Sequence, residues 1–128
     1  KIMNALYSNG IVNIERPLNT SFTHLHVHSH YTLLGGTASI PDLVAQATAD
    51  GMRALALTDT HALYGAVAFA RACTKAGLQS ILGMTIKLVL PADLQVPTVA
   101  YERRVLLACG PDGYRSLCRL SSTIQSSP

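Results

Sequence analysis

The chain has no tryptophan, and its five tyrosines and two phenylalanines make up only 5% of it. So sparse an aromatic complement argues against a base-stacking platform for single strands. Charge is scarce as well: Asp, Glu, Lys and Arg reach 13%, against 48% hydrophobic residues. That balance excludes disorder and implies a well-buried α/β or α-rich interior. No apolar run approaches the roughly 18 residues needed to span a membrane, so no membrane partner is expected. Cysteine is limited to Cys73, Cys109 and Cys118, with no Cys-x-x-Cys pair. An odd, dispersed set without a signal peptide is expected of small buried thiols in a reducing cytoplasm. The net charge of +3 is mild and permits a polyanion partner without demanding one. A length of 128 residues suffices for one domain with a real core. The start at Lys1 and the end at Pro128 read as cut from something longer.

What the chain does have is histidine in one place. Four of its five histidines, His24, His26, His28 and His30, fall at every second position. On a strand they would share one face, with Leu25 and Val27 turned toward a buried layer. Same-face neighbours lie roughly 6–7 Å apart between Cα atoms. Two imidazoles at that spacing can lean onto one metal ion, whose bonds to nitrogen are about 2.0–2.1 Å long. Four cannot all reach one ion, so one His-x-His pair is expected to ligate, with the outer histidines in other roles. A metal-type or phosphate-type site competes here with a merely polar strand face.

Residues 1–21 allow either a small hairpin around Asn9-Gly10 or a loosely docked arm. Phe22 to His28 reads as the first core strand, and Ser29 to Ala38 as a loop. Ser39, Pro41 and Asp42 then open a helix with a capping box, and Gly51 closes it. Its stripe is Ile40, Leu43, Val44 and Ala47. Met52 to Thr58 is apolar throughout its middle, as suits a strand buried on both faces. Leu63 to Ala76 is a second helix, with Leu63, Ala66, Val67, Ala70 and Cys73 inward and Gly77 at its end. Leu78 to Leu90 holds a third strand interrupted at Gly83, and Pro91 to Thr98 a loop. Val99 to Cys109 holds a fourth strand with Val105 to Ala108 buried, and Gly110 to Gly113 a turn. Tyr114, Leu117, Leu120 and Ile124 mark a last helix, with Arg115 and Arg119 on its solvated face. The alternation implies a largely parallel sheet. In such folds the working site lies at the C-terminal strand ends. His26 and His28 end the first strand, and Asp59, Thr60 and His61 follow the second, so two polar clusters fall on one rim.

Several stretches, in this order, resemble the PHP (polymerase and histidinol phosphatase) domain. They are Phe22 to Gly36, Ala54 to Asp59, Leu63 to Val67, Ile81 to Gly83 and Val105 to Ser121. The resemblance is closest to the version found at the N-terminus of bacterial DNA polymerase III alpha subunits. It covers residues 22–123 and implies that 22–128 is the N-terminal half of a distorted, seven-unit, TIM-like βα barrel. Intact members hold two or three ions on the barrel rim, often zinc or manganese. There a metal-bound hydroxide attacks phosphorus, including in 3′–5′ exonuclease proofreading. Carried over by position, the resemblance implies His26 and His28 as metal ligands, with His24 where the wider superfamily often has Asp. His61 is a further candidate, one residue out of register. Thr60 occupies the usual His position of the Thr-Asp-His motif. Thr85 occupies the place of a bridging Glu, and Gly35 that of an Asp.

The resemblance therefore implies a DNA-directed DNA polymerase (a nucleotidyltransferase of DNA replication, using Mg) as the parent protein. The fragment itself is expected to be mainly structural and inactive alone, with a degenerate metal site. The alternative is a metal-dependent PHP phosphoesterase or 3′–5′ exonuclease. Implied partners are DNA and other replisome subunits through the parent, the proofreading subunit among them. Exposed sheet edges suggest self-association.

Overall fold

The computed structural model describes residues 22–89 and 101–126. The proposed arm over residues 1–21 and the whole loop from Pro91 to Thr98 lie outside them. The described chain runs α1 (Ile40–Ala49), β1 (Ala54–Leu57), α2 (Ala66–Ala76), β2 (Gln79–Val89), β3 (Tyr101–Leu107) and α3 (Gly110–Ser126). The three strands form one sheet in the order β1-β2-β3.

Helix α1 starts where its chemistry dictates. The Ser39 hydroxyl accepts the Asp42 N–H, Pro41 sits in the first turn, and Gly51 takes the left-handed conformation just past the end. Its Ile40, Val44 and Ala47 pack with Leu55 and Leu57 of β1, Phe69 and Cys73 of α2, and Leu78. Burial pushes the Cys73 thiol up from its usual range. All four residues of β1 are buried, as the apolar run requires. In α2, Phe69 rather than Val67 carries the core contact. Phe69 is fully buried and Val67 is 57% exposed, because the helix begins at Ala66 after a turn at Leu63 to Gly65.

Strand β2 is continuous through Gly83 rather than interrupted there. What changes at Gly83 is the ladder. Gln79 to Leu82 pair in parallel with β1, whereas Gly83 to Val89 pair antiparallel with β3. A side chain at Gly83 would lie 2.5 Å from the Leu106 carbonyl oxygen and 2.9 Å from Thr58 Cγ2. Glycine there answers close approach on two sides, not a break. The sheet is thus mixed rather than largely parallel, with β1 and β2 parallel and β2 and β3 antiparallel.

Helix α3 starts at Gly110, so the expected turn over Gly110 to Gly113 is its first turn. Its Leu117, Leu120 and Ile124 cover Met84 and Ile86 of β2, forming a second apolar cluster. Because strand side chains alternate, Thr85 and Lys87 are left on the opposite face.

The expected first strand is an irregular extended segment. It runs beside β1 with only two backbone bonds, Ala56 N–H to His24 O at 3.0 Å and Thr58 N–H to Val27 O at 2.8 Å. The Val27 N–H is taken by the Thr58 hydroxyl instead of a strand carbonyl. Strict alternation is lost as a result: Val27 packs on the core, but Leu25 is 49% exposed.

Candidate functional site

The loss of alternation separates the histidines. His24 lines a groove with Val27, Leu43 and Met52, and its ring meets Phe22 edge-on. His30 lies in the following loop, its ring tilted on Tyr31 and its N–H bonded to Ala38 O. Only His26 and His28 come together. Their Nε2 atoms are 2.8 Å apart, with ring centroids at 4.7 Å.

Behind this pair sits a buried polar network anchored on Asp59, which is 2% exposed. Its carboxylate accepts the Ser29 N–H at 2.7 Å, the Ser29 hydroxyl at 2.8 Å and the Thr32 hydroxyl at 2.7 Å. Three donors of this kind offset the cost of burying the charge. The Ser29 turn can approach because Gly36 follows; a Cβ there would stand 2.3 Å from the Ser29 carbonyl oxygen.

The network fixes proton positions outward from Asp59. The Thr32 hydroxyl spends its proton on the carboxylate, so its oxygen can only accept elsewhere. It accepts the Thr60 N–H at 3.1 Å and stands 3.0 Å from His28 Nδ1, which must therefore donate. A neutral His28 then has its lone pair on Nε2, facing His26. Similarly, the Thr85 hydroxyl donates to Thr58 O at 2.8 Å and lies 3.3 Å from His26 Nε2. His26 Nε2–H is thus the donor, shared between His28 Nε2 and Thr85 Oγ1. The pKa of His28 is lowered from 6.5, first by desolvation, then by His26 and by Arg103; Asp59 opposes them. A depressed value keeps the imidazole neutral and its lone pair available.

His61 is held differently. It adopts a left-handed φ of 58°, donates its N–H to Thr85 O, and accepts the Lys87 N–H on Nε2 at 3.1 Å. Its carbonyl accepts from Ser121 and Gln125 of α3. His61 therefore ties α3 and β2 together, with the Nε2 lone pair engaged.

These residues fit a metal only in part. Two Nε2 atoms 2.8 Å apart can share one ion at bonds of about 2.0–2.1 Å, at nearly a right angle. Asp59 orients His28 through Thr32, as outer-shell groups orient metal-bound imidazoles. Yet among the described residues no three His, Cys, Asp or Glu side chains are grouped to hold an ion. Beside the pair, Thr85 offers a hydroxyl rather than a carboxylate or imidazole.

The front of the pair opens into a cleft of about 330 Å³, lined by His28, Thr32 and Thr60 and by Thr85, Lys87 and Arg103, with Leu33 and Leu34 at one side. Ser29, Thr32, Lys87 and Arg103 were not among the residues that sequence reasoning singled out. For Lys87 a signal existed, since two-residue periodicity from Thr85 places it on the same face. For Thr32 none did, because two of the three partners of its hydroxyl, Asp59 and Thr60, lie 27 and 28 positions away.

Comparison with known proteins gives this geometry a family. The PHP domain profile matches residues 24–127. The chain is 43% identical over 106 residues to the DNA polymerase III subunit alpha of Bacillus subtilis, covering 83% of this chain and 9% of that protein. It is 44% identical over 100 residues to an error-prone DNA polymerase of Symbiobacterium thermophilum, covering 78% and 8%. The chain thus spans about a tenth of the length of these relatives. Among solved structures it is similar to a Bifidobacterium adolescentis protein described as a metal-dependent phosphoesterase. That match has a TM-score of 0.59 and 21% identity, covering 79% of this chain and 32% of that one. An amidohydrolase from Chromobacterium violaceum, solved with sulfate and no metal, matches with a TM-score of 0.56, covering 76% and 32%. The mixed α/β fold, the paired histidines and the profile match agree: the chain belongs to the PHP domain family, in the branch homologous to bacterial DNA polymerase III alpha subunits and error-prone DNA polymerases.

Proposed function

We propose that this chain is the N-terminal portion of the PHP barrel of a DNA polymerase III alpha-type protein, serving there as a structural module with a reduced metal site. The polymerase chemistry belongs to parts outside this chain, and DNA and replisome subunits are partners of the parent protein, in a bacterial cytoplasm. The observation that carries the reading is Thr85. Its hydroxyl stands 3.3 Å from His26 Nε2 and is spent on the Thr58 carbonyl. A multi-ion centre needs a carboxylate at such a place to hold neighbouring cations together. His26 and His28 then form at most a two-imidazole site for one zinc or manganese ion. His24, in the other groove, and His61, with Nε2 engaged, act in packing and strand bonding.

A metal-dependent phosphoesterase is the second reading. It is favoured by the neutral His28 whose Nε2 lone pair the Asp59–Thr32 relay turns toward His26, where one ion could take the place of the shared proton. Elemental analysis of the purified chain after dialysis, with a nuclease assay on single-stranded DNA, separates the two. The structural reading expects less than one ion per chain and no nucleotide release. Two or more retained ions together with nucleotide release would overturn it.

A further inference from the structure

Strands β2 and β3 set Lys87 and Arg103 directly opposite each other. Opposed residues of an antiparallel pair project from the same face, and like charges so placed destabilise the sheet. Neither cation is neutralised within the described residues. The ion pairs there join Arg104 to Glu102 and Arg115 to Asp112. Lys87 instead holds its ammonium 5.0 Å from the Tyr101 ring centroid. The acid behind the cleft, Asp59, is turned inward onto Ser29 and Thr32. Lys87, Arg103 and Thr60 all line the cleft that His28 enters. In this cleft positive side chains stand beside a site short of the ligands that would hold positive ions.

We infer that the cleft binds a phosphate group directly, without a metal, between Arg103 and Lys87, with the Thr60 hydroxyl as a neutral donor. This rests on the reduced metal site proposed above: the counter-charge that bound cations would supply comes from two side chains. Arg103 offers a planar fork suited to two phosphate oxygens, and Lys87 a point charge across from it. The unfavourable Lys–Arg opposition is relieved when a dianion lies between them. The ligand chemistry is a phosphate dianion, either free inorganic phosphate or the terminal phosphomonoester of an oligonucleotide.

The test is calorimetric titration of the full chain with inorganic phosphate in EDTA. Beside it, anisotropy is measured with a short oligodeoxynucleotide bearing a 5′-phosphate or a 5′-hydroxyl. Phosphate is expected to bind in EDTA, and Lys87→Gln and Arg103→Gln should each weaken it about tenfold, as for a lost hydrogen bond to a charged group. Arg103→Lys should recover only part of the affinity. Both glutamine variants should melt no lower than the parent, since each removes a like-charge pair. Preference for the 5′-phosphate end extends the ligand to phosphomonoesters; binding of inorganic phosphate alone confines it to the free ion. Measurable and equal binding of both oligonucleotides, or phosphate binding indifferent to both glutamine variants, overturns the inference. No phosphate binding with or without added zinc overturns it and leaves the reduced-metal reading standing. Phosphate binding that requires zinc overturns both.

Discussion

Thr32 is the residue on which the buried network turns. One hydroxyl donates to Asp59, accepts from the Thr60 N–H and meets His28 Nδ1. Thr32→Val keeps the shape and removes all three. Asp59 then retains two donors for a buried charge, and the Thr60 N–H loses its partner. The expected loss is about 2–3 kcal/mol, read as a lower urea midpoint at unchanged slope. Thr32→Ser retains the hydroxyl and should recover most of it. An unchanged midpoint in the valine variant would show that the network contributes nothing, whereas failure of serine to match the parent would measure the methyl packing that it lacks. At this scale the sequence was partly legible. The pairing of His26 with His28, and the nearness of Asp59 to them, followed from their positions at strand ends. The inward aim of Asp59 did not, because it depends on Ser29 and Thr32 in a loop without periodic pattern.

Among the elements, β2 carries the largest departure from expectation. An 11-residue strand that changes partners midway needs one position where three backbones converge, and Gly83 is that position. Gly83→Ala should cost about 2–3 kcal/mol, since the nearest obstacle is the Leu106 carbonyl rather than a flexible side chain. Amide exchange over Gly83 to Val89 should rise more than over Gln79 to Leu82, because the β3 ladder is the one displaced. Gly77→Ala is the control: it has a φ of 73° with nothing within 4 Å, so only backbone strain of about 1 kcal/mol is expected. Equal costs for the two would exclude close packing at Gly83. Helices were read well here because caps and 3.6-residue stripes are local signals. Strand pairing was read less well because direction and partner are set by residues far apart. The histidine stretch shows the same limit: its alternation in sequence was perfect, but the Thr58 hydroxyl displaced the ladder that would have enforced it.

For the molecule as a whole, the described sheet stays open at β3, whose partner on one side is β2 and on the other nothing among the described residues. Leu88, Val89, Tyr101 and Val105 leave apolar surface near that edge. An unpaired edge with apolar flanks is a template for another chain. Lys87 and Arg103 oppose this by repulsion, which salt screens over roughly 10 Å at 0.1 M. The balance predicts weak self-association that strengthens with ionic strength, the reverse of association through ion pairs. Sedimentation velocity across a hundredfold range of concentration, at low and high salt, measures it directly. The weight-average sedimentation coefficient should rise with concentration, and more steeply in high salt. Arg103→Glu, which replaces an unpaired cation of the edge by an anion opposite Lys87, should make the salt response smaller or reverse it. A single unchanging coefficient under all conditions would show that the edge is already covered within the chain.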